Sequence, residues 1–231
     1  VANALWSKLT ATVKRGGFEW TMEFRAGAVV GKLKKVGKAR GSGTTVSFRP
    51  DPEIFPKTEF SPDVIRERLE ITSYLQKGLK VTFVDETQKQ THRFHHPDGI
   101  GEYLKKILGE RNARVVHDAP FSLSRANGMR VELVFQWTEA TDEHLRSYVN
   151  GIPTASGGTH ENGFRSGLVK AVRNYIETHQ LTPRGVTLSA EDIREGMSGV
   201  LSVFMEEPQF QGQTKDRLNN PDAQAAVDQA V

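Results

Sequence analysis

The sequence contains no cysteine, which excludes disulfide bridges and thiolate metal sites. It also lacks an apolar run long enough to cross a bilayer, and its first residues do not have the pattern of a secretory signal peptide. These absences predict a cytoplasmic protein without a membrane partner. Of the 231 residues 37% are hydrophobic and 26% charged, which suits one large soluble domain or two small ones.

Acidic residues are scarce at the start of the chain. Residues 1–50 hold ten lysines and arginines but only two acids, whereas residues 186–231 hold three basic and eight acidic residues. A basic segment can attract nucleic acid or nucleotide phosphates. For the cluster from Lys32 to Arg40 we favour the alternative, a solvated hairpin edge that resists strand aggregation.

Alternating apolar and polar residues predict an antiparallel sheet in the first fifty residues. A Gly16-Gly17 turn joins the first two strands, and the second strand should bury one apolar face. The predicted strands cover residues 9–15, 18–24, 29–36 and 44–50. Residues 1–6 are typical of a buried helix without a cap, so we expect that Val1 is not the biological start and that sequence is missing upstream.

The rest of the chain predicts a mixed α+β arrangement, with a domain boundary at Pro97-Asp98-Gly99 that separates residues 1–97 from 98–231. A helix should begin at Pro62 and end at Gly78, and Asn127-Gly128 should form a hairpin turn. The other predicted helices cover residues 100–108, 163–179 and 216–231. The other predicted strands cover residues 79–84, 91–95, 115–124, 129–137, 145–152 and 200–205.

The short loop from Gln211 to Lys215 lies between the last predicted strand and the last predicted helix. Such a loop can present backbone N–H groups and a lysine to a phosphate. The plain alternative is a solvated helix start, with Thr214 as N-cap.

Three separated stretches carry a resemblance to a known family: residues 150–154, residues 157–161, and residues 191–196 together with 209–215. They read Asn-Gly-Ile-Pro-Thr, Gly-Gly-Thr-His-Glu, and Glu-Asp-Ile-Arg-Glu-Gly with Gln-Phe-Gln-Gly-Gln-Thr-Lys. In this order they resemble the transducer domain of the B subunit of bacterial type IIA DNA topoisomerases, gyrase B and topoisomerase IV B. Residues 1–5 resemble the helix after that family's ATP lid, and residues 43–46 its pocket-lining strand.

The resemblance implies the C-terminal half of a GHKL-type ATPase sandwich followed by a mixed βαβ transducer domain with a ribosomal-protein-like fold. The family's catalytic glutamate, adenine-binding aspartate and glycine-rich lid do not occur in this sequence. We therefore expect the chain alone not to hydrolyse ATP, and we expect the Mg²⁺ ligand to lie upstream. The implied partners are ATP, duplex DNA, the A subunit and, through ATP binding, a second copy of the B subunit.

Five residues receive roles from the resemblance. Lys215 matches the lysine that reaches the γ-phosphate, and Gln213 matches the glutamine beside it, so both are candidate catalytic and nucleotide-binding residues. Thr44 matches a threonine near adenine. Arg15 and Val46 match the rim and floor of the same pocket, where aminocoumarin inhibitors bind.

Each role has an alternative. Thr44 can be a simple strand residue and Arg15 a solvated hairpin residue. His160 suits hydrogen bonding in its loop better than metal binding, and the histidines at 92, 95 and 96 suit a surface strand end, so we predict no metal site.

Two other classes of protein remain open: another GHKL-type ATPase, such as a mismatch-repair ATPase or chaperone, and a non-enzymatic DNA-binding module. Residues 181–186 and 188–193 look closer to topoisomerase IV B, whereas residues 135–137 and 194–197 look closer to gyrase B.

Overall fold

The computed structural model describes residues 2–182 and 184–231. Val1, in the predicted opening helix, and Pro183, in the stretch that resembles topoisomerase IV B, lie outside the described residues. The chain forms two compact units, residues 1–62 and 63–231, and each is described here by itself. Among the helices of the described residues, none has the length and apolarity needed to cross a membrane.

The first unit is a four-stranded antiparallel sheet with the strand order β3-β2-β1-β4. Its strands are β1 (Trp6–Arg15), β2 (Phe18–Arg25), β3 (Ala28–Lys38) and β4 (Gly43–Pro50). The predicted sheet and its Gly16-Gly17 turn are therefore confirmed. The predicted buried helix at the start is wrong, because Ala2–Leu5 forms one 3-10 turn and the chain enters β1 at Trp6.

One face of this sheet is apolar, but it is only half-buried. Val13 pairs with Trp20 and Ala11 with Met22, which puts their side chains on the same face. Trp6 packs on Phe48 with ring centroids 4.4 Å apart. The four apolar residues of β2 that should be buried are all half-buried, because within the described residues of this unit no helix covers them.

The second unit alternates helices with short strands. Its helices are α1 (Pro62–Leu75), α2 (Ile100–Glu110), α3 (Thr159–Thr178), α4 (Ala190–Arg194) and α5 (Pro221–Ala230). Its strands are β5 (Lys80–Asp85), β6 (Gln90–His95), β7 (Phe121–Asn127), β8 (Met129–Trp137), β9 (His144–Val149), β10 (Ile152–Pro153) and β11 (Met197–Phe204).

The main sheet of this unit has the order β10-β9-β11-β8-β7, and only the β9–β11 pairing is parallel. The central strand β11 is buried on both faces, since alternate residues enter two different cores. Leu201 packs in the core that contains Phe164 of α3 and Val227 of α5. Val200 packs in the opposite core, with Tyr103 and Ile107 of α2.

Two predictions in this unit are wrong in instructive ways. The helix expected from Asp216 begins only at Pro221, so Thr214 is not its N-cap. The single strand expected over 145–152 is a hairpin, because Asn150 and Gly151 both have positive φ, 52° and 78°, and turn the chain from β9 into β10.

Candidate functional site

The loop between β11 and α5 presents Gln213 and Lys215 at its tip. A tight turn from Gly212 to Lys215 is closed by the Lys215 amide, which donates to the Gly212 carbonyl oxygen at 3.4 Å. Both Gln213 and Lys215 are exposed, and within the described residues the Lys215 ammonium group has no ion-pair partner. An exposed cation without a competing carboxylate is suited to an anionic ligand.

Two backbone hydrogen bonds join the two sides of the loop at its base. The Gln211 amide donates to the Arg217 carbonyl at 2.9 Å, and the Asn219 amide donates to the Gln209 carbonyl at 2.8 Å. Between them Leu218 is fully buried in the core of the unit. The tip is therefore exposed while its base is anchored.

Leu218 also pairs with the Gly157-Gly158 motif. Its amide donates to the Gly157 carbonyl at 3.1 Å, and the Thr159 amide donates to the Leu218 carbonyl at 3.0 Å. A Cβ atom on Gly158 would lie 2.4 Å from the Leu218 carbonyl oxygen, so only glycine permits this approach. Two motifs that are about sixty residues apart in the sequence thus form one structural element.

Asn220 fixes the exit of the loop. Its side-chain oxygen accepts from the Gln209 amide at 2.6 Å, and its side-chain nitrogen donates to the Glu207 carbonyl at 3.1 Å. Pro221 then occupies the first turn of α5, where its missing N–H costs nothing.

A buried polar network lies under residues 154–161. The Ser147 hydroxyl donates to the Glu161 carboxylate at 2.5 Å, and Arg165 pairs with the same carboxylate at 2.9 Å. Arg165 also pairs with Glu143 at 2.6 Å. Because the buried carboxylate has both a hydroxyl and a guanidinium partner, its burial is compensated and the segment is held firmly.

His160 belongs to this network and is fully buried. Its Nε2 lies 3.0 Å from the Thr154 hydroxyl oxygen, which agrees with the predicted hydrogen-bonding role. Burial, and secondarily the nearby Arg165 charge, lowers the pKa of His160 to about 4. The imidazole is therefore neutral at physiological pH and supports the loop as a structural group.

This lowered pKa predicts a pH dependence of stability. Between pH 6.5 and 4 the unfolded state binds a proton at His160 that the folded state does not, so the free energy of unfolding falls as the pH falls. The loss attributable to His160 is on the order of 3 kcal/mol by pH 4. Urea unfolding at several pH values should show a shallower pH slope in His160→Gln than in the parent; an equal slope would contradict the prediction.

Two of the other histidines contact aromatic rings. His96 lies 2.9 Å from Glu102 and stacks on Tyr74, and His92 stacks beside Phe94 on β6. In residues 2–182 and 184–231 no three His, Asp or Glu side chains are grouped as metal ligands.

The candidate residues of the first unit share one sheet face. Thr44 pairs with Val13, and Val46 pairs with Ala11, which lies two residues earlier in β1. Because side chains two residues apart point the same way, Arg15 lies on this face too. All three candidates are exposed, so they are available to a ligand on the apolar face.

The sequence interpretation overlooked two residues beside Lys215. Asp216 and Ser156 hydrogen-bond to each other across sixty residues of sequence. No motif pointed to this pair, because a contact at that separation leaves no local pattern.

Comparisons with known proteins agree with this architecture. A family model described as DNA gyrase B matches residues 99–231. The DNA gyrase B protein of Archaeoglobus fulgidus is 37% identical over 235 residues, which covers 100% of this chain and 37% of that protein. The chain therefore spans little more than a third of this relative's length.

Two solved structures extend the likeness to the fold. The 43K ATPase domain of Thermus thermophilus gyrase B, in complex with an aminocoumarin, is 33% identical with a TM-score of 0.85, covering 99% of this chain and 62% of that one. The topoisomerase IV ATP-binding domain of Francisella tularensis, in complex with a small-molecule inhibitor, is 30% identical with the same TM-score and coverage. The mixed α+β fold is that of the gyrase B ATPase domain, and the chain belongs to the DNA gyrase B family.

Proposed function

We propose that this chain is the ATPase and transducer part of the B subunit of an ATP-dependent type II DNA topoisomerase. The observation that carries the proposal is Lys215, an exposed cation on a loop tip whose base is anchored to Gly157-Gly158. Membership of the DNA gyrase B family favours this function over a mismatch-repair ATPase or a non-enzymatic DNA-binding module.

We propose a functional boundary between residues 97 and 98. Residues 1–97 contribute to nucleotide binding, and residues 98–231 form the transducer. The family match beginning at Gly99 supports this boundary, whereas the compact units divide at Pro62. The segment from Asp63 to Pro97 thus packs in the second compact unit. In this proposal, however, it contributes to nucleotide binding together with the first unit.

In this proposal Lys215 binds the terminal phosphate of ATP, and Gln213 binds beside it. ATP supplies a phosphoanhydride bond whose cleavage places negative charge on phosphoryl oxygens. A lysine held next to those oxygens stabilises that charge, and its delivery from the transducer makes phosphate binding depend on the state of that domain. Mg²⁺ accompanies ATP and neutralises part of the phosphate charge.

We assign Thr44, Val46 and Arg15, which lie in the first unit, to binding of the nucleotide base. The Thr44 hydroxyl suits a hydrogen bond near adenine, Val46 offers an apolar contact, and Arg15 lies at the strand end. We propose that an aminocoumarin binds the same face; the Thermus relative was solved in complex with an aminocoumarin.

Thr44→Val tests this assignment. Valine keeps the branched shape and removes the hydroxyl, so losing one hydrogen bond should weaken nucleotide or aminocoumarin binding by about 0.5–1.5 kcal/mol. Calorimetric titration of the complete subunit measures the affinity, and the melting temperature should not change because Thr44 is exposed. Thr45→Val, on the opposite sheet face, is the matched control; equal affinity losses in both variants would assign Thr44 a purely structural role.

The proposed macromolecular partners are duplex DNA, the topoisomerase A subunit and a second copy of the B subunit joined through ATP, all in the cytoplasm. Closure of this dimer around a duplex would couple the nucleotide to DNA passage. Both gyrase B and topoisomerase IV domains are structural neighbours, and the A subunit would decide between the two activities.

The proposal is tested with the complete subunit expected to contain this chain. A non-hydrolysable ATP analogue should produce a dimer in sedimentation experiments, whereas ADP should not, and duplex DNA with the A subunit should raise ATP turnover. If the subunit binds DNA but shows neither ATP turnover nor nucleotide-dependent dimerisation, the result would instead support the non-enzymatic DNA-binding module.

A further inference from the structure

Asp216, the residue after Lys215, is joined to Ser156 through both backbone and side chain. The Ser156 amide donates to the Asp216 carbonyl at 2.9 Å, and the Ser156 hydroxyl donates to Asp216 Oδ2 at 3.3 Å. The adjacent Arg217 guanidinium donates to the Ser156 carbonyl at 3.1 Å. Ser156 is therefore fixed from three directions by the two residues that follow Lys215.

The other carboxylate oxygen of Asp216 faces the tip of the loop. The Thr214 hydroxyl donates to Asp216 Oδ1 at 3.0 Å. One half-buried carboxylate thus connects the residue before Lys215 with Ser156 on the neighbouring segment.

The backbone of Lys215 needs such support. Its φ is +58°, a left-handed conformation that costs a residue with a side chain free energy and persists only when the surroundings enforce it. Asp216, the residue after Lys215, accepts hydrogen bonds from Thr214, the residue before that lysine, and from Ser156 on the neighbouring segment.

We infer that Asp216 is a positioning residue for Lys215: its carboxylate holds the loop tip so that the ammonium group points to one place before a phosphate arrives. This inference rests on the proposed function. It adds a residue outside the Gln-Thr-Lys triplet and assigns the carboxylate the role of hydrogen-bond acceptor, since among the described contacts it forms no ion pair with Lys215.

A positioning role predicts an effect that is confined to ligands with a terminal phosphate. Without the carboxylate the tip samples several conformations, and a fraction of them points the lysine away. Asp216→Ala should therefore weaken binding of a non-hydrolysable ATP analogue about tenfold and lower kcat by a similar factor. ADP affinity should not change, because ADP lacks the phosphate that Lys215 contacts.

The decisive experiment combines Asp216→Ala with Lys215→Ala in the complete subunit and measures affinity for the ATP analogue and for ADP by titration. If Asp216 acts only through Lys215, Asp216→Ala has no further effect once the lysine is absent. Asp216→Asn keeps one acceptor oxygen and should lie between the parent and the alanine variant. Asp222→Ala, which removes another acid near the start of α5, should match the parent.

The outcomes separate this inference from the proposed function. Equal losses for ADP and the analogue, a further loss in the Lys215→Ala background, or parental values for Asp216→Ala would each overturn the positioning role. If Lys215→Ala itself leaves analogue binding and turnover unchanged, the proposed role of Lys215 fails first, and the positioning role fails with it.

Discussion

Replacing Lys215 with alanine in the complete subunit is expected to reduce ATP turnover by at least about 100-fold while ADP binding stays near its parental value. Removing one preorganised donor from developing oxyanion charge has an effect on the order of 100- to 1,000-fold in other enzymes. ADP binding should be spared, because ADP lacks the terminal phosphate that the proposed function assigns to Lys215. Steady-state phosphate release and ADP titration on the same preparations measure both quantities.

Two further variants make the result interpretable. Lys215→Arg should not restore full turnover, because a planar guanidinium does not replace a compact ammonium group. Lys105→Ala removes another exposed lysine, on α2, and should match the parent in both measurements. Near-parental turnover in Lys215→Ala would mean that Lys215 is an ordinary solvated loop residue.

Replacing Gly158 with alanine should cause a large loss of stability. The added Cβ would lie 2.4 Å from the Leu218 carbonyl oxygen and 2.6 Å from its nitrogen, both backbone atoms that cannot rotate away. The backbone of Gly158, with φ 140° and ψ −163°, is also in a region that is essentially restricted to glycine. Together these effects should cost on the order of 3–5 kcal/mol.

Thermal unfolding followed by circular dichroism measures this cost, which corresponds to roughly 6–20 °C in melting temperature. Gly128→Ala is the matched control, because Gly128 has φ +73° but nothing within 4 Å of an added Cβ. It should lose only about 1 kcal/mol, the cost of the backbone conformation. Equal losses in the two variants would show that the close approach of Gly158 to Leu218 contributes nothing.

Local patterns predicted much of the fold. Gly16-Gly17 and Asn127-Gly128 mark real hairpin turns, and α2 follows the glycine at position 99 as expected. The missed turn at Asn150-Gly151 has the same chemistry, but its flanking apolar residues suggested one continuous strand. The late start of α5 follows from Asn220-Pro221, a stronger helix-start signal than Thr214.

The candidate site was less accessible to sequence reasoning. A lysine in a loop before a helix is common, so only the resemblance to a family distinguishes Lys215 from other loop lysines. The anchoring of its loop depends on Leu218 beside Gly158 and on Asp216 beside Ser156, contacts that only the tertiary fold creates. The shared face of Arg15, Thr44 and Val46 could have been deduced had the strand register been known.

The strand order of the second unit also determines when this protein can fold during its synthesis. The strands β8 and β9 are not neighbours, since β11 lies between them and pairs with both. The ribosome makes β11 about fifty residues after β9, so until then the facing edges of β8 and β9 have unpaired backbone groups and exposed apolar side chains. A nascent chain that has not reached Phe204 therefore has an incomplete sheet, and chaperone binding should be concentrated in that interval.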